Sequence, residues 1–530
     1  MTARPAVRTT LVALAGALLM LLSAAILGRL GRSLIEADEA GHYVNALFIG
    51  DWLRAGLPSP MRYALDYYAH FPRLSIGHWP PGWYALESPI FALLRPSPWA
   101  AVVATTLIGG CNAALTEWAV RRAGWPRLAL AAALGYIALP FVLDQGGYIL
   151  LDQPLTLICG IAAILWHSAT ERPSLPRYLL FAAVAALALM IKGNGVLIGL
   201  VPFLHIAMTK RWRLLADWRL WLAAVLGLLV VTPWYALTFG IAAKGFNYAP
   251  GPAYASLALS FAFGIVWENI TIVGMGLAIA AIGFAIRHRF ARPQSWSIAA
   301  LTIVMVLSPQ IVFSAVPASL VMRYLAPMMP WLVALIAIGI GYLCEWQRPF
   351  GKLIAALCGG FVVVHALWLD ARLDPKADID AEAIAATVAA HPGLWMIDGR
   401  ATGEGGVIAA VAWGDREAHR TWLLRASQYL SHTDFMGNGY ALSVHSPAEV
   451  RALLDRLGVV GVVSIREHHQ HAYPHGPLLA GAVAQGFTSE RHPFLRREGD
   501  YVVSVRIKPI VAHPELLEAK SDNVRGVVKR

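Results

Sequence analysis

The sequence predicts a polytopic α-helical membrane protein of about eleven transmembrane helices, followed by a small C-terminal α/β periplasmic domain. Three observations predict it. Only 14% of the 530 residues are charged and 57% are hydrophobic, where a soluble globular chain carries roughly 25% charged residues. Mean hydropathy is +0.56. Apolar runs of bilayer-spanning length recur as far as residue 369 and then stop. This excludes a soluble enzyme, a disordered chain and a fibrous one. The net charge of +11 would suit nucleic acid or anionic lipid. The excess cations sit in short loops between apolar runs, however, so they are read as orientation signals, and no nucleic-acid partner is expected.

The spans are expected near 10–30, 98–119, 127–143, 148–168, 178–191, 195–209, 218–239, 266–286, 296–315, 324–344 and 351–369. With the N-terminus in the cytoplasm, the inner segments hold Arg4 and Arg8; Arg121, Arg122 and Arg127; Arg172 and Arg177; Lys210, Arg211, Arg213 and Arg219; Arg287, Arg289 and Arg292; Arg348 and Lys352. The short outer turns hold only Lys192, Lys244 and Arg323. That asymmetry fixes the orientation. Reading 178–209 as one span would put the Lys210–Arg219 cluster outside, so two short or tilted spans fit better. The first run resembles a signal peptide but is long for one, and is read as a retained span.

An odd span number places 370–530 outside, on the periplasmic side of a bacterial inner membrane, with 1–369 as the membrane part. In the tail, helical patterns at 381–390 and 447–457 alternate with short apolar runs at 394–398, 421–425, 458–465 and 501–507. The first outer loop, 31–97, is rich in Trp, Tyr, Pro and His, and Tyr43 to Arg54 has the spacing of a short interfacial helix.

Several motifs are absent or weak. Cys111, Cys159, Cys344 and Cys358 all lie in or beside apolar segments, with no CxxC pair and no disulfide framework. Gly403-Glu404-Gly405-Gly406 has the wrong spacing for a dinucleotide fingerprint. His468, His469, His471 and His475 do not follow a zinc pattern and read as a solvated loop. There is no phosphate-binding P-loop and no GxSxG element.

The ionisable residues of the membrane part gather at the outer ends of spans: Asp38 and Glu39, His78, Asp144 and Asp152, Lys192, Glu268, and Arg323 with Tyr324. Each has a local reading too. Asp152 suits a helix start, Lys192 a snorkelling turn, Arg323-Tyr324 an interfacial anchor, and Trp79, Trp83 and Tyr84 an aromatic belt. Charges near hydrocarbon are costly and usually face a partner or a cavity. Their common level points to one polar cavity open to the outer face.

At these residues the chain resembles a known group, the GT-C type membrane glycosyltransferases, in the branch of the protein O-mannosyltransferases and the lipid A aminoarabinose transferase. The matching elements are Ala37-Asp38-Glu39 with Tyr43, HWPPGWY at 78–84, LDQPLT at 151–156, IKGNG at 191–195 and RYLAPMMP at 323–330, in that order along residues 10–345. The resemblance implies a cavity facing the periplasm, a polyprenyl-phosphate-linked sugar donor and inversion at the anomeric carbon. It also implies that Asp38 is the general base for an extracytoplasmic acceptor, be it lipid, glycan or protein. Relatives often carry a lysine before the Pro-Pro pair, where this chain has His78.

Physical chemistry assigns the remaining roles. A lipid phosphate leaves as an anion and needs cations, so Lys192 and Arg323 are the first candidates and His78 the third. Glu39 would orient the acceptor or hold a divalent ion, the one metal the residues suggest. Asp152 would bind sugar hydroxyls or orient a cation, and Tyr84 and Tyr324 complete the substrate-binding set. A transporter or lipid-linked sugar flippase is the competing reading. It would show repeats and midplane polar groups, which are not evident here.

Overall fold

A computed structural model describes residues 5–75, 77–346, 349–415, 420–432, 439–468 and 473–517. The first helix, α1, spans Pro5–Ile26. The outer loop then folds into α2 (Glu39–Arg54), α3 (Pro60–His70) and α4 (Gly82–Leu93). There follow α5 (Pro98–Arg122), α6 (Ala129–Ile137), α7 (Pro140–Gly146), α8 (Asp152–Glu171), α9 (Leu175–Ile191), α10 (Leu197–Thr209), α11 (Trp218–Ala242), α12 (Pro252–Arg287), α13 (Pro293–Ala315), α14 (Met329–Glu345) and α15 (Phe350–Asp370).

Among the described residues, seven helices are long and apolar enough to cross a membrane, or eight if α6 and α7 are one bent span. The chain is a multi-pass membrane protein. Three of the eleven expected runs fall outside that count. α8 carries Asp152 and Gln153 at one end and His167 and Glu171 at the other, while α9 and α10 are only 17 and 13 residues long. The α6–α7 bend is 57°. Pro140 causes it, since it lacks an N–H and pushes Leu139 into extended backbone.

A second departure concerns α12. At 36 residues it is far longer than the expected 266–286; it would reach about 54 Å against a hydrocarbon core of about 30 Å. It is broken at Thr271 (φ 62°, ψ 173°). Asn269 secures the break, its Oδ1 accepting from the Phe141 N–H at 3.2 Å and its Nδ2 donating to Ile265 O at 3.0 Å.

α1 shows lipid-facing Leu11, Leu14, Leu18 and Leu22 on its exposed side and touches the bundle mainly through α5. Gly110 makes this possible, because a Cβ there would collide with the backbone of Gly16 and Ala17. Close helix approach through small residues is what holds helices together in lipid. Gly110→Val is therefore expected to destabilise the protein by about 1–3 kcal/mol through overpacking, read as a lower unfolding midpoint in detergent.

The C-terminal elements match the expected pattern closely. Helices α16 (Ala381–Ala390), α17 (Ala401–Gly414), α18 (Ala426–Tyr429), α19 (Pro447–Leu457) and α20 (His475–Val483) accompany a five-stranded sheet. Strands are numbered along the chain: β1 Gly393–Asp398, β2 Thr421–Arg425, the short β3–β4 hairpin Ser431–His432/Ala441–Leu442, β5 Val459–Glu467, β6 Phe487–Pro493 and β7 Gly499–Arg506. The sheet order is β2-β1-β5-β7-β6, with β1 parallel to β2 and β5, and β7 antiparallel to β5 and β6. α17 was not foreseen. Glycine weakens a helical pattern, yet Gly405 and Gly406 let this helix lie against Ala40 and Leu34 of the first outer loop.

That docking changes the expectation for α2. The helix exists, but Tyr43, Val44, Leu47 and Asp51 are buried, so it is an internal element beneath α4 and α17. His70 stacks on Trp422 of β2 (ring centroids 4.9 Å, 26°), and its Nδ1 lies 2.8 Å from the Thr421 carbonyl.

The four-histidine tract is not uniform. His469 and His471 lie outside the described residues. His468 contacts Asp500 at 3.3 Å. His475 is fully buried, with Nε2 3.0 Å from Asp398 Oδ1 and Nδ1 2.8 Å from the Tyr440 hydroxyl, so it belongs to the core of this part rather than to a solvated loop.

Candidate active site

Three helix ends converge here. Asp38 immediately precedes α2 and Asp152 opens α8, so both carboxylates sit at positive ends of helix dipoles. Lys192 follows the last residue of α9, where a cation is favoured. Arg323 lies on the 3₁₀ turn Met322–Met328 that leads into α14.

These groups form one ion-paired cluster. The Arg323 guanidinium donates one Nη to Asp38 Oδ2 and the other to Glu36 Oε1, at 3.1 Å for the second. Lys192 Nζ donates to Asp152 Oδ1 at 2.7 Å and sits 4.7 Å from the centre of the Tyr324 ring. Asp152 is 1% exposed, and its Oδ2 is buried without a hydrogen-bond partner. Lone carboxylate oxygens in such surroundings are costly unless a donor arrives.

The aromatic wall comes from α2 and the 78–84 segment. Four residues after Asp38, on the same face of α2, His42 stacks on Trp79 (4.3 Å) and its Nδ1 lies 2.7 Å from the Tyr84 hydroxyl. His78 meets the Trp79 ring edge-on at 4.8 Å. Beside Tyr324, a hollow of about 10 Å³, room for about one water, is lined by Asn194, Leu197, Pro309, Val312, Phe313, Val316 and Ala318.

Charge states follow from this packing. Burial pushes the Asp38 carboxyl up, but Arg323, His42, Lys192 and Arg73 together outweigh it and hold it below its ordinary 3.8. Burial raises Glu36 above 4.5, against the pull of Arg323. Burial lowers His78 to about 4 and His42 to about 3, with the Lys192 charge adding in both and Asp38 opposing. Both imidazoles are neutral at pH 7, so His78 offers a hydrogen bond and not the third cation expected of it. Burial brings Arg73 down to about 10. It stays charged, and its guanidinium donates to the Ala37 carbonyl.

Glu39 is the clear correction. It is 0% exposed and both its oxygens are taken. Oε2 accepts the backbone N–H groups of Ile35 (3.1 Å) and Glu36 (3.0 Å), while Oε1 accepts from the Ile149 N–H (2.9 Å) and Lys376 Nζ (2.7 Å). It therefore has no oxygen left to orient an acceptor or to hold a divalent ion. It pins the turn that carries Glu36 and Asp38. Among the described residues no group of three or more His, Cys, Asp or Glu side chains is arranged to hold a metal.

Two other outer-level carboxylates lie apart. Asp144 is paired with Arg29. Glu268 is exposed, and only its carbonyl is engaged, by His365 at 2.8 Å. Residues missed by sequence reasoning are Glu36, His42, Arg73 and Lys376. Only His42 carried a signal, its four-residue spacing from Asp38.

Comparison with known proteins follows the same outline. Residues 78–236 match the model of a family described as dolichyl-phosphate-mannose-protein mannosyltransferase. No curated protein sequence matches the chain. The fold is shared with ArnT from Cupriavidus metallidurans in the apo state at 15% identity, over 92% of this chain and 97% of that one, with a TM-score of 0.57. The same protein bound to undecaprenyl phosphate gives 14% identity, coverage of 94% and 97%, and a TM-score of 0.55. The Archaeoglobus fulgidus oligosaccharyltransferase in complex with Zn and sulfate gives 13% identity, coverage of 84% and 68%, and a TM-score of 0.52. The resemblance to the GT-C membrane glycosyltransferases read from the sequence is thus met both in a family match across residues 78–236 and in a fold common to almost the whole chain.

Proposed function

We propose that the protein transfers a sugar from a polyprenyl-phosphate donor to an acceptor on the periplasmic side of a bacterial inner membrane, in a single inverting displacement with Asp38 as general base. The observation that carries the reading is the cluster itself: one carboxylate, ionised at neutral pH, is held directly against a guanidinium, with an ammonium and a second carboxylate alongside. A protein of the same fold binds undecaprenyl phosphate, which supports a lipid-phosphate donor.

The chemistry follows from charge. The leaving phosphate needs cations rather than an acid, and Arg323 and Lys192 supply them. An acceptor hydroxyl needs a base within hydrogen-bond reach, and Asp38 supplies it. The unpaired Asp152 Oδ2 is free to accept from a sugar hydroxyl. In this reading 1–369 is the catalytic membrane part, α8, α9 and α10 are spans shortened by the cluster, and 370–530 is a periplasmic α/β domain.

Arg323 serves two masters here. An incoming phosphate competes with Asp38 and Glu36 for its guanidinium, so donor binding releases Asp38 and places an anion beside it. Both effects raise the Asp38 pKa and make it a stronger base. The expected signature is an acid limb of kcat lying at higher pH than the acid limb of kcat/KM, which reports the free enzyme and lies below 3.8. A pH–rate series with a synthetic polyprenyl-phosphate sugar tests this, and coincident limbs would count against the exchange.

Transfer from that donor in proteoliposomes is the decisive assay. Vectorial movement of the lipid-linked sugar with no new glycosidic bond would instead support the flippase reading.

A further inference from the structure

At the opposite end of the bundle, five helix ends surround a second hollow. The ends of α5 and α8 and the starts of α1, α9 and α13 surround an open-mouthed space of about 890 Å³. Its polar lining includes Arg121, Arg122, Arg172, Arg177, His167 and Glu171. α8 sets the geometry, since it begins at Asp152 in the cluster above and ends at Glu171 here.

The charges in this hollow are unbalanced. Arg121 is committed to Glu117, with Nε to Oε1 at 3.0 Å. The one lining carboxylate, Glu171, is paired with Arg211 at 2.8 Å, and Arg211 is not part of the lining. Arg177 donates only to the Arg172 carbonyl at 2.7 Å. Among the described residues, the guanidinium groups of Arg122 and Arg172 have no hydrogen-bond or ion-pair partner. Three guanidinium groups therefore line one space whose single carboxylate is already paired with Arg211.

A second observation is independent of charge. His167 lines the same space while being only 6% exposed. Its Nδ1 approaches Ser297 Oγ at 3.4 Å, and its Nε2 has no protein partner. The side chain is otherwise buried, so this ring nitrogen is left to hydrogen-bond what enters the hollow beside Arg122, Arg172 and Arg177. The rule that cations gather on the inner side of a membrane requires neither an inter-helical hollow nor a buried imidazole opening into it.

We propose that this hollow binds the phosphate headgroup of an anionic membrane lipid. Basic pockets between membrane helices suit such headgroups, since guanidinium groups pair with phosphate oxygens in a planar, two-pronged fashion. Lipid is favoured over free phosphate by what lies next door. A groove of about 460 Å³ runs between α1, α5 and α6 from Arg8, and beyond that residue its walls include Leu11, Val12, Leu19, Leu130, Leu134 and Ile137. Thr9 and Thr10 of α1 line the hollow itself, so headgroup site and apolar groove share that helix.

The test uses the full-length protein in detergent micelles, titrated with phosphatidylglycerol, phosphatidylcholine or inorganic phosphate, with bound lipid counted by native mass spectrometry and unfolding followed by heating. Phosphatidylglycerol is expected to bind at least tenfold more tightly than phosphatidylcholine and to raise the unfolding midpoint. Each of Arg122→Gln, Arg172→Gln and Arg177→Gln should weaken that binding about fivefold, leaving the lipid-free midpoint and sugar transfer unchanged. Arg287→Gln with Arg289→Gln, cationic at the same membrane level but outside the hollow, should leave it intact. Equal binding of the two lipids, or equal losses in both variant sets, would overturn the site. The same stabilisation by inorganic phosphate alone would overturn its assignment to lipid. Should any of these variants fold poorly, Arg122→Glu alone tests the site, since that side chain is exposed and unpartnered.

Discussion

Asp38→Asn is expected to slow sugar transfer by about 10²–10⁴-fold while leaving donor binding intact or slightly tighter. Asparagine keeps the size and one acceptor oxygen, so the turn should survive. It cannot take a proton, so the acceptor hydroxyl must attack unassisted. It also no longer neutralises Arg323, which leaves that guanidinium freer for donor phosphate. The result should appear in single-turnover measurements as a fall in kcat with KM unchanged or reduced. Glu36→Gln is the natural comparison, because Glu36 shares Arg323 but burial holds its carboxyl up; its loss should be much smaller. Full activity in a well-folded Asp38→Asn variant would remove Asp38 as the base.

The second large effect is expected at a buried pair behind the proposed base. Lys376 and Glu39 are both 0% exposed at the side chain and meet at 2.7 Å. Removing one member of a buried pair strands the other charge and costs about 3–5 kcal/mol. Lys376→Met should therefore lower the unfolding midpoint markedly. It should also reduce kcat, since Glu39 fixes the backbone of Ile35 and Glu36 beside the base, and a shift of about 1 Å can cost about 10²-fold. The double variant Glu39→Gln/Lys376→Met should recover part of the stability, because the stranded charge is gone. Thermal unfolding and transfer rates on the three variants decide it. Additive losses in the double variant would show that the pair does not act as a unit.

What could be read from the sequence divides along physical lines. Local periodicity gave the tail helices α16 and α19 and the strands β1, β2, β5 and β7 close to their observed limits, since those patterns are carried by neighbouring residues. Shared membrane level, through hydropathy and charge, pointed to Asp38, Asp152, Lys192 and Arg323 as companions, and they touch in pairs. The misreading of Glu39 came from adjacency. One residue along a helix is a turn of about 100°, so neighbours in sequence face different surroundings. Lys376 gave no signal, because its partner is 337 residues away. α17 was hidden by its glycines, whose value lies in contact with a distant loop rather than in helix propensity. The runs at α8, α9 and α10 are the hardest to read as spans, because polar ends and short helices interrupt their apolar pattern.

The tie between Glu39 and Lys376 also sets a timetable for biosynthesis. At roughly 5–20 residues per second, the ribosome needs about 20–70 s after delivering Glu39 before it delivers Lys376, and longer before α17 arrives to cover α2. For that interval the carboxylate has no ammonium and the early loop no roof. Until then the turn that carries Glu36 and Asp38 is held by backbone donors alone, and its last tie, the Lys376 ammonium, closes it from the far end of the chain.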